Sequence, residues 1–181
     1  MFRFYTLFLC LLLTASCWAA DPAPAFSLTG SNGQTVSFPR EQAGVDIYFF
    51  WASWCPYCKA LMPHLQSMID EYGSNIEVFA FNIRDDEDPV TYLEKSGYSF
   101  TLMPEADEVM PLYGVKGTPA VFLVDGSGAL RLSLYSLNYP KNNLNADMKH
   151  SQKAVRKAPW WAAQIREEID RILAEQEPYS H

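Results

Sequence analysis

Two cysteines separated by two residues, Cys55-Pro56-Tyr57-Cys58, sit inside the run FFWASWCPYCKALMPHL from Phe49 to Leu65. That spacing admits three chemistries. The thiols can form a redox couple, supply half of a metal site, or lie inert in a core. A bond across a two-residue gap closes almost no loop, so it adds little stability by restricting the unfolded chain. The other cysteines, Cys10 and Cys17, fall in the N-terminal stretch MFRFYTLFLCLLLTASCWAA. Disulfide-stapled domains spread their cysteines across the fold. An isolated pair points toward chemistry.

The flanking residues predict where the pair sits. Val45 to Trp51, VDIYFFW, is a continuous apolar and aromatic run that suits a strand buried on both faces. Leu61, Leu65, Met68 and Ile69 then recur at helical spacing, with Pro63 inside the helix and Gly73 ending it. Cys55 therefore falls at a helix N-terminus, where free backbone N–H groups and the helix dipole stabilise a thiolate. Cys58 lies one turn on and is expected to be more covered. Cys55 is the predicted attacker and Cys58 the resolver, through a mixed disulfide with the substrate. Pro56 suits the first helical position, where a missing N–H costs nothing. Tyr57 can shield the sulfurs, and both intervening residues tune the potential.

A metal reading has fewer supports. Structural zinc takes four ligands, and the only histidines are His64, His150 and His181. His64 reads as a helix-packing residue. Lys59 stands where c-type haem attachment requires His. No metal ligand is assigned, and the site needs no cofactor beyond the Cys55-Cys58 couple. Copper(I) accepts a pair of soft thiolates, so a copper(I)-binding metallochaperone is the alternative function. A non-catalytic assembly factor is a third reading.

The remaining elements describe a layered α/β chain. Phe26-Ser27-Leu28 and Thr35 to Phe38 flank Gly30-Ser31-Asn32-Gly33 as a β-hairpin. Ile76 to Ile83 is a second buried strand. RDDED leads to Asp88 as an N-cap, Pro89 as the first helical residue and Gly97 as the stop; the acidic cluster reads as a helix start and solvated loop. A short helical segment follows near Glu105 to Tyr113. Ala120 to Val124 is a third strand, turning at Asp125 to Gly128 into Ala129 to Leu134. Tyr135 to Ala158 is polar and reads as a surface excursion or insertion, and Trp160 to Leu173 as a closing amphipathic helix, with Trp161, Ile165, Ile169, Ile172 and Leu173 on one face.

The N-terminal segment carries Arg3, an apolar run from Leu7 to Leu13 and small residues before Asp21, the layout of a secretory signal peptide cleaved near Ala19 or Ala20. A retained anchor and an acylated Cys17, giving a lipid anchor, are the alternatives. Residues 1–20 are thus a signal peptide and 21–181 one domain, with 135–158 its insertion. The formal charge of −7 and the lack of a long basic run argue against a nucleic-acid partner.

WASWCPYCKALMP, preceded by VDIYFFW and followed by GVKGTPAVFLVDGSG, resembles the thioredoxin-like fold, and within it the TlpA, ResA and CcmG (DsbE) group of exported thiol-disulfide oxidoreductases. The likeness runs from about Pro24 to Leu132. It implies a central mixed β-sheet flanked by helices, with an N-terminal hairpin and a C-terminal polar insertion before the last helix. It also implies that Pro119 is a cis-proline facing the disulfide, that the Thr118 backbone pairs with the substrate chain, and that Trp54 flanks the attacking cysteine. Relatives carry acids where this chain has Leu61 and Phe49, so here proton transfer to the buried cysteine falls to water or another group. The function implied is a periplasmic thiol-disulfide oxidoreductase acting on protein disulfides or dithiols, reductive rather than oxidative. Its partners are a protein substrate and a membrane electron donor or oxidant.

Overall fold

The computed structural model describes residues 21–140, 144 and 146–176. Residues 1–20, where a signal peptide and an acylated Cys17 are expected, lie outside the described residues. In chain order the elements are β1 (Phe26–Thr29), β2 (Thr35–Phe38), β3 (Val45–Trp51), α1 (Pro56–Tyr72), β4 (Ile76–Asn82), α2 (Pro89–Ser96), β5 (Thr101–Met103), β6 (Ala120–Asp125), β7 (Leu130–Ser133) and α3 (His150–Gln176). β1 and β2 form the separate antiparallel hairpin, and the other strands form one mixed sheet in the order β5-β4-β3-β6-β7. β3 runs parallel to β4 and antiparallel to β6.

The period-two alternation of strand side chains divides the core. Val45, Ile47, Phe49 and Trp51 point to the side covered by α1 and α3, with Val78, Ala80, Val121 and Leu123 beside them. Tyr48 and Phe50 point the other way, into a cluster with Phe79, Phe81, Phe122 and Phe38. Every residue of β3 is buried, as the apolar run predicts. The aromatic side is held by edge-on contacts such as Phe38 on Phe79 at 4.9 Å and Tyr48 on Phe81 at 5.4 Å.

Three features depart from the sequence expectation. β5 is a strand that the residue pattern does not announce. It has only three residues and a single parallel neighbour, β4, too few for alternation to register. The last helix opens at His150 and not at Trp160. Its early turns bury Ala154 and Ala158, followed by Ala162, and small side chains spaced by four generate little hydropathy contrast. Pro159 lies inside this helix. The bond it forfeits is to the exposed turn at Val155, where water can replace it. The helical segment expected near Glu105 to Tyr113 is a short 3₁₀ turn, Ala106–Val109. Among the described residues no helix is long and apolar enough to cross a membrane.

Candidate active site

α1 begins where β3 ends. Cys55 is its N-cap, in extended conformation at φ −80° and ψ 109°, and Pro56 occupies the first turn. The Cys55 Sγ accepts a hydrogen bond from the Cys58 backbone N–H at 3.1 Å. A sulfur thus stands where helices ordinarily place the oxygen of Ser, Thr, Asp or Asn. Cys55 and Cys58 are joined in a disulfide with their Cα atoms 5.3 Å apart. Residue burial does not rank the two, since Cys55 is 1% and Cys58 0% exposed. The expected difference in cover is therefore small; what separates them is that helix N–H bond to Cys55.

Beneath the pair the surroundings are apolar. Phe49 and Leu61 are fully buried in the same cluster as both cysteines. Among the described residues no group of three or more His, Cys, Asp or Glu side chains is placed to hold a metal ion. His64 lies further along α1, where partial burial and then the Arg166 charge push its imidazole below the usual range.

The loop leading into Cys55 is held by residues that sequence reasoning did not connect with it. Ser53 is buried, and its hydroxyl donates to the Asp85 carboxylate at 2.7 Å while its backbone N–H donates to the other carboxylate oxygen. Asn82 Nδ2 donates to Asp85 at 2.9 Å. Desolvation pushes Asp85 up, but the hydrogen bonds from Ser53, Asn82 and Glu87 outweigh it and hold the carboxyl below its usual range. Trp54, 57% exposed, is pinned by its indole N–H to the Arg84 carbonyl at 2.7 Å. Of the acidic cluster RDDED, Asp88 is the predicted cap of α2, whereas Asp85 turns back on the cysteine loop. No spacing signal distinguishes the two.

Thr118-Pro119 is a cis peptide, Pro119 is buried, and both residues share a groove with Tyr57 of the cysteine turn. The Tyr135 hydroxyl straps this loop: it donates to the Gly117 carbonyl and lies 3.2 and 3.3 Å from the Gly117 and Lys116 backbone N–H groups, from which it accepts. Between Tyr57, Thr118, Pro119, Leu134, Tyr135 and Trp161 runs a groove of about 270 Å³. The first turns of α3 close its far side. Tyr57 packs on Trp161 with ring centroids 6.1 Å apart, and its hydroxyl lies 3.3 Å from His150 Nδ1. Of the residues assigned to the site from the sequence, Tyr57, Thr118 and Pro119 line this groove; Cys55, Pro56 and Cys58 lie with Tyr57 at the start of α1, and Trp54 is tied to Arg84. Tyr135, Lys157 and Trp161, which also line the groove, were not in that set. Tyr135 and Lys157 lie in a polar stretch with scattered rings, and Trp161 reads as a packing residue on the apolar face of the last helix.

A mixed sheet whose central strand delivers a cysteine pair to a helix start, beside a cis-proline loop, defines a thioredoxin-like protein. The chain belongs to the AhpC/TSA family, whose pattern it matches over residues 19–133. It is 28% identical over 116 residues to the thiol-disulfide oxidoreductase ResA of Halalkalibacterium halodurans, covering 62% of this chain and 65% of that one. It is 33% identical over 116 residues to the thiol:disulfide interchange protein DsbE of Yersinia pestis, covering 61% and 60%. The chain thus spans about three-fifths of the length of the curated relatives it matches. A crystal structure described as a DsbE thiol:disulfide interchange protein from Chlorobium tepidum superposes with a TM-score of 0.58 at 29% identity, over 77% of this chain and 96% of that one. A Geobacillus kaustophilus protein of 20% identity shares the fold with a TM-score of 0.66, over 90% and 86%.

Proposed function

We propose that this chain is an exported, periplasmic thiol-disulfide oxidoreductase that reduces disulfides in protein substrates. The observation that carries the reading is the Cys55-Cys58 disulfide at the start of α1, with a helix N–H on Cys55 Sγ and the Thr118-Pro119 loop across the groove. In the dithiol form, Cys55 as thiolate attacks a substrate disulfide. A Cys55–substrate bond forms and the other substrate sulfur leaves. Cys58, deprotonated, then attacks Cys55 Sγ, the second substrate thiol leaves, and the chain ends as disulfide while the substrate ends as dithiol. The same helix N–H that bonds Cys55 Sγ favours the Cys55 thiolate that opens the first step, and in the second step the charge leaves on the substrate sulfur.

Trp54 and Pro56 hold the cysteine turn, Tyr57 walls the groove, and the Thr118 backbone beside Pro119 pairs with the substrate chain. Phe49 and Leu61, buried in the same cluster as Cys58, carry no proton acceptor, so its proton passes to water or another group. A membrane electron donor returns the pair to the dithiol form, because the exported compartment holds no bulk thiol buffer.

Reduction of insulin disulfides by the wild type and its loss in Cys55→Ser test the reading; turnover retained by that variant overturns it. The potential of the couple tests the direction. A value near the roughly −270 mV of thioredoxin supports a reductant, and one near about −120 mV a disulfide donor. Metal analysis of reductively purified protein separates exchange from copper(I) carriage.

A further inference from the structure

The groove beside Pro119 has a wall that the family match does not contain. Tyr135, Lys157 and Trp161 all lie beyond residue 133, where that match ends. The wall is basic although the chain is acidic overall: between Asp147 and Glu167 there is no Asp or Glu, while Lys149, Lys153, Arg156, Lys157 and Arg166 fall in that interval, Arg166 being paired with Glu71, against a formal charge of −7 for the whole chain. Stability does not account for the pattern. The first turn of α3 holds no acid, although carboxylates there favour a helix and cations disfavour it.

Lys157 is held in an unusual way. Its ammonium lies 5.5 Å from the Trp161 ring, 5.5 Å from the Tyr139 ring and 5.8 Å from the Tyr57 ring. Among the described residues it forms no salt bridge. Rings attract a cation without neutralising it, so the charge is positioned yet still open to an anion. It stands over Tyr57, one of the two residues between the cysteines, and on the same groove as Thr118 and Pro119.

We propose that this groove is a specificity subsite for the substrate segment next to the reacting sulfur, and that it takes an extended stretch with a large apolar or aromatic side chain beside a carboxylate. The apolar side chain lies against Tyr57, Tyr135 and Trp161, where ring contacts reward aromatic partners. The carboxylate meets Lys157, with the basic turns of α3 adding a longer-range pull that salt screens. Charge complementarity and continuity with the cysteine turn select this occupant over a purely apolar one. The inference rests on the oxidoreductase reading for the identity of the segment, but its binding does not require chemistry.

Two peptide disulfides of equal length test it, one with Glu and Phe flanking the cysteine and one with Lys and Ala in those places. Pre-reduced wild type is expected to reduce the acidic aromatic peptide with a second-order rate constant at least about fivefold higher at low ionic strength, the ratio falling as salt is added. Lys157→Glu is expected to invert the ratio and Lys157→Arg to keep it. Equal rates for the two peptides in the wild type overturn the subsite. Calorimetric titration of the same peptides with Ser in place of Cys reads the groove alone. A binding preference without exchange leaves the subsite standing and sinks the oxidoreductase reading, whereas exchange without any preference does the reverse.

Discussion

Two helices of this molecule start by the same device with opposite consequences. At α2 the Asp88 carboxylate accepts from the Val90 backbone N–H at 3.0 Å, with Pro89 following. At α1 the Cys55 sulfur accepts from the Cys58 backbone N–H at 3.1 Å, with Pro56 following. Asp88 sits in water and serves the helix. Cys55 is buried against the sheet and is itself bonded to Cys58. A helix start stabilises an anion wherever it lies; on a thiol at the end of β3, under the proposed function, it serves reactivity as well as folding.

The comparison breaks most sharply at the sulfur. Cys55→Ser keeps a capping oxygen, so the protein is expected to unfold cooperatively while exchange with insulin falls by more than about a thousandfold, since a hydroxyl neither ionises nor forms a disulfide. Measuring both properties on one preparation decides it: a variant that is inactive only because it is unfolded would leave the two starts undistinguished. Cys58→Ser should instead accumulate mixed disulfides at Cys55, visible as substrate adducts on non-reducing gels.

Burial under α1 is the next largest effect. Leu61→Ala removes a fully buried side chain from the cluster that holds both cysteines and is expected to cost about 2–5 kcal/mol in denaturant unfolding.

The loop joining the two starts comes third. Asp85→Asn weakens the bonds from Ser53 and should cost about 1–2 kcal/mol near neutral pH, discounted for the partial exposure of the carboxylate. The folded-state pKa of Asp85 is depressed, so its contribution is fully present above the unfolded value of about 3.9 and is lost as pH falls through the lower folded value. The gap between wild type and variant should therefore close below about pH 4; a gap unchanged at acid pH would mean the carboxylate charge is not what holds the loop.

Asp88→Ala is the smallest. Hydrogen bonds from Thr91 and the Val90 backbone hold Asp88 below the usual carboxylate range. Its loss should lower the unfolding midpoint slightly, leave exchange unchanged, and become silent at acid pH for the same reason of sign.

Both starts were legible in the sequence, because a cap, a proline and a helical period are neighbours along the chain. Asp88, Pro89 and Gly97 each occupy the predicted cap, first-turn and stop positions of α2, and β3 lies on the predicted residues. The opening of α3 was not legible, since alanines at 154, 158 and 162 give the buried face too little hydropathy to show. Nor was β5, too short to alternate.

What the sequence by itself determined is the chemistry and its local frame: a cysteine pair at a strand–helix junction, and strands whose alternation divides the core into two faces. Those properties depend on residues within a turn or two of one another. Only the tertiary structure decided what surrounds the pair. Asp85 reaches Ser53 across 32 positions, Tyr135 reaches Gly117 across 18, and His150 meets Tyr57 across 93. No local period records such pairings. They follow from how the sheet orders its strands and how α3 lies across α1, and packing settles that only when the whole core forms.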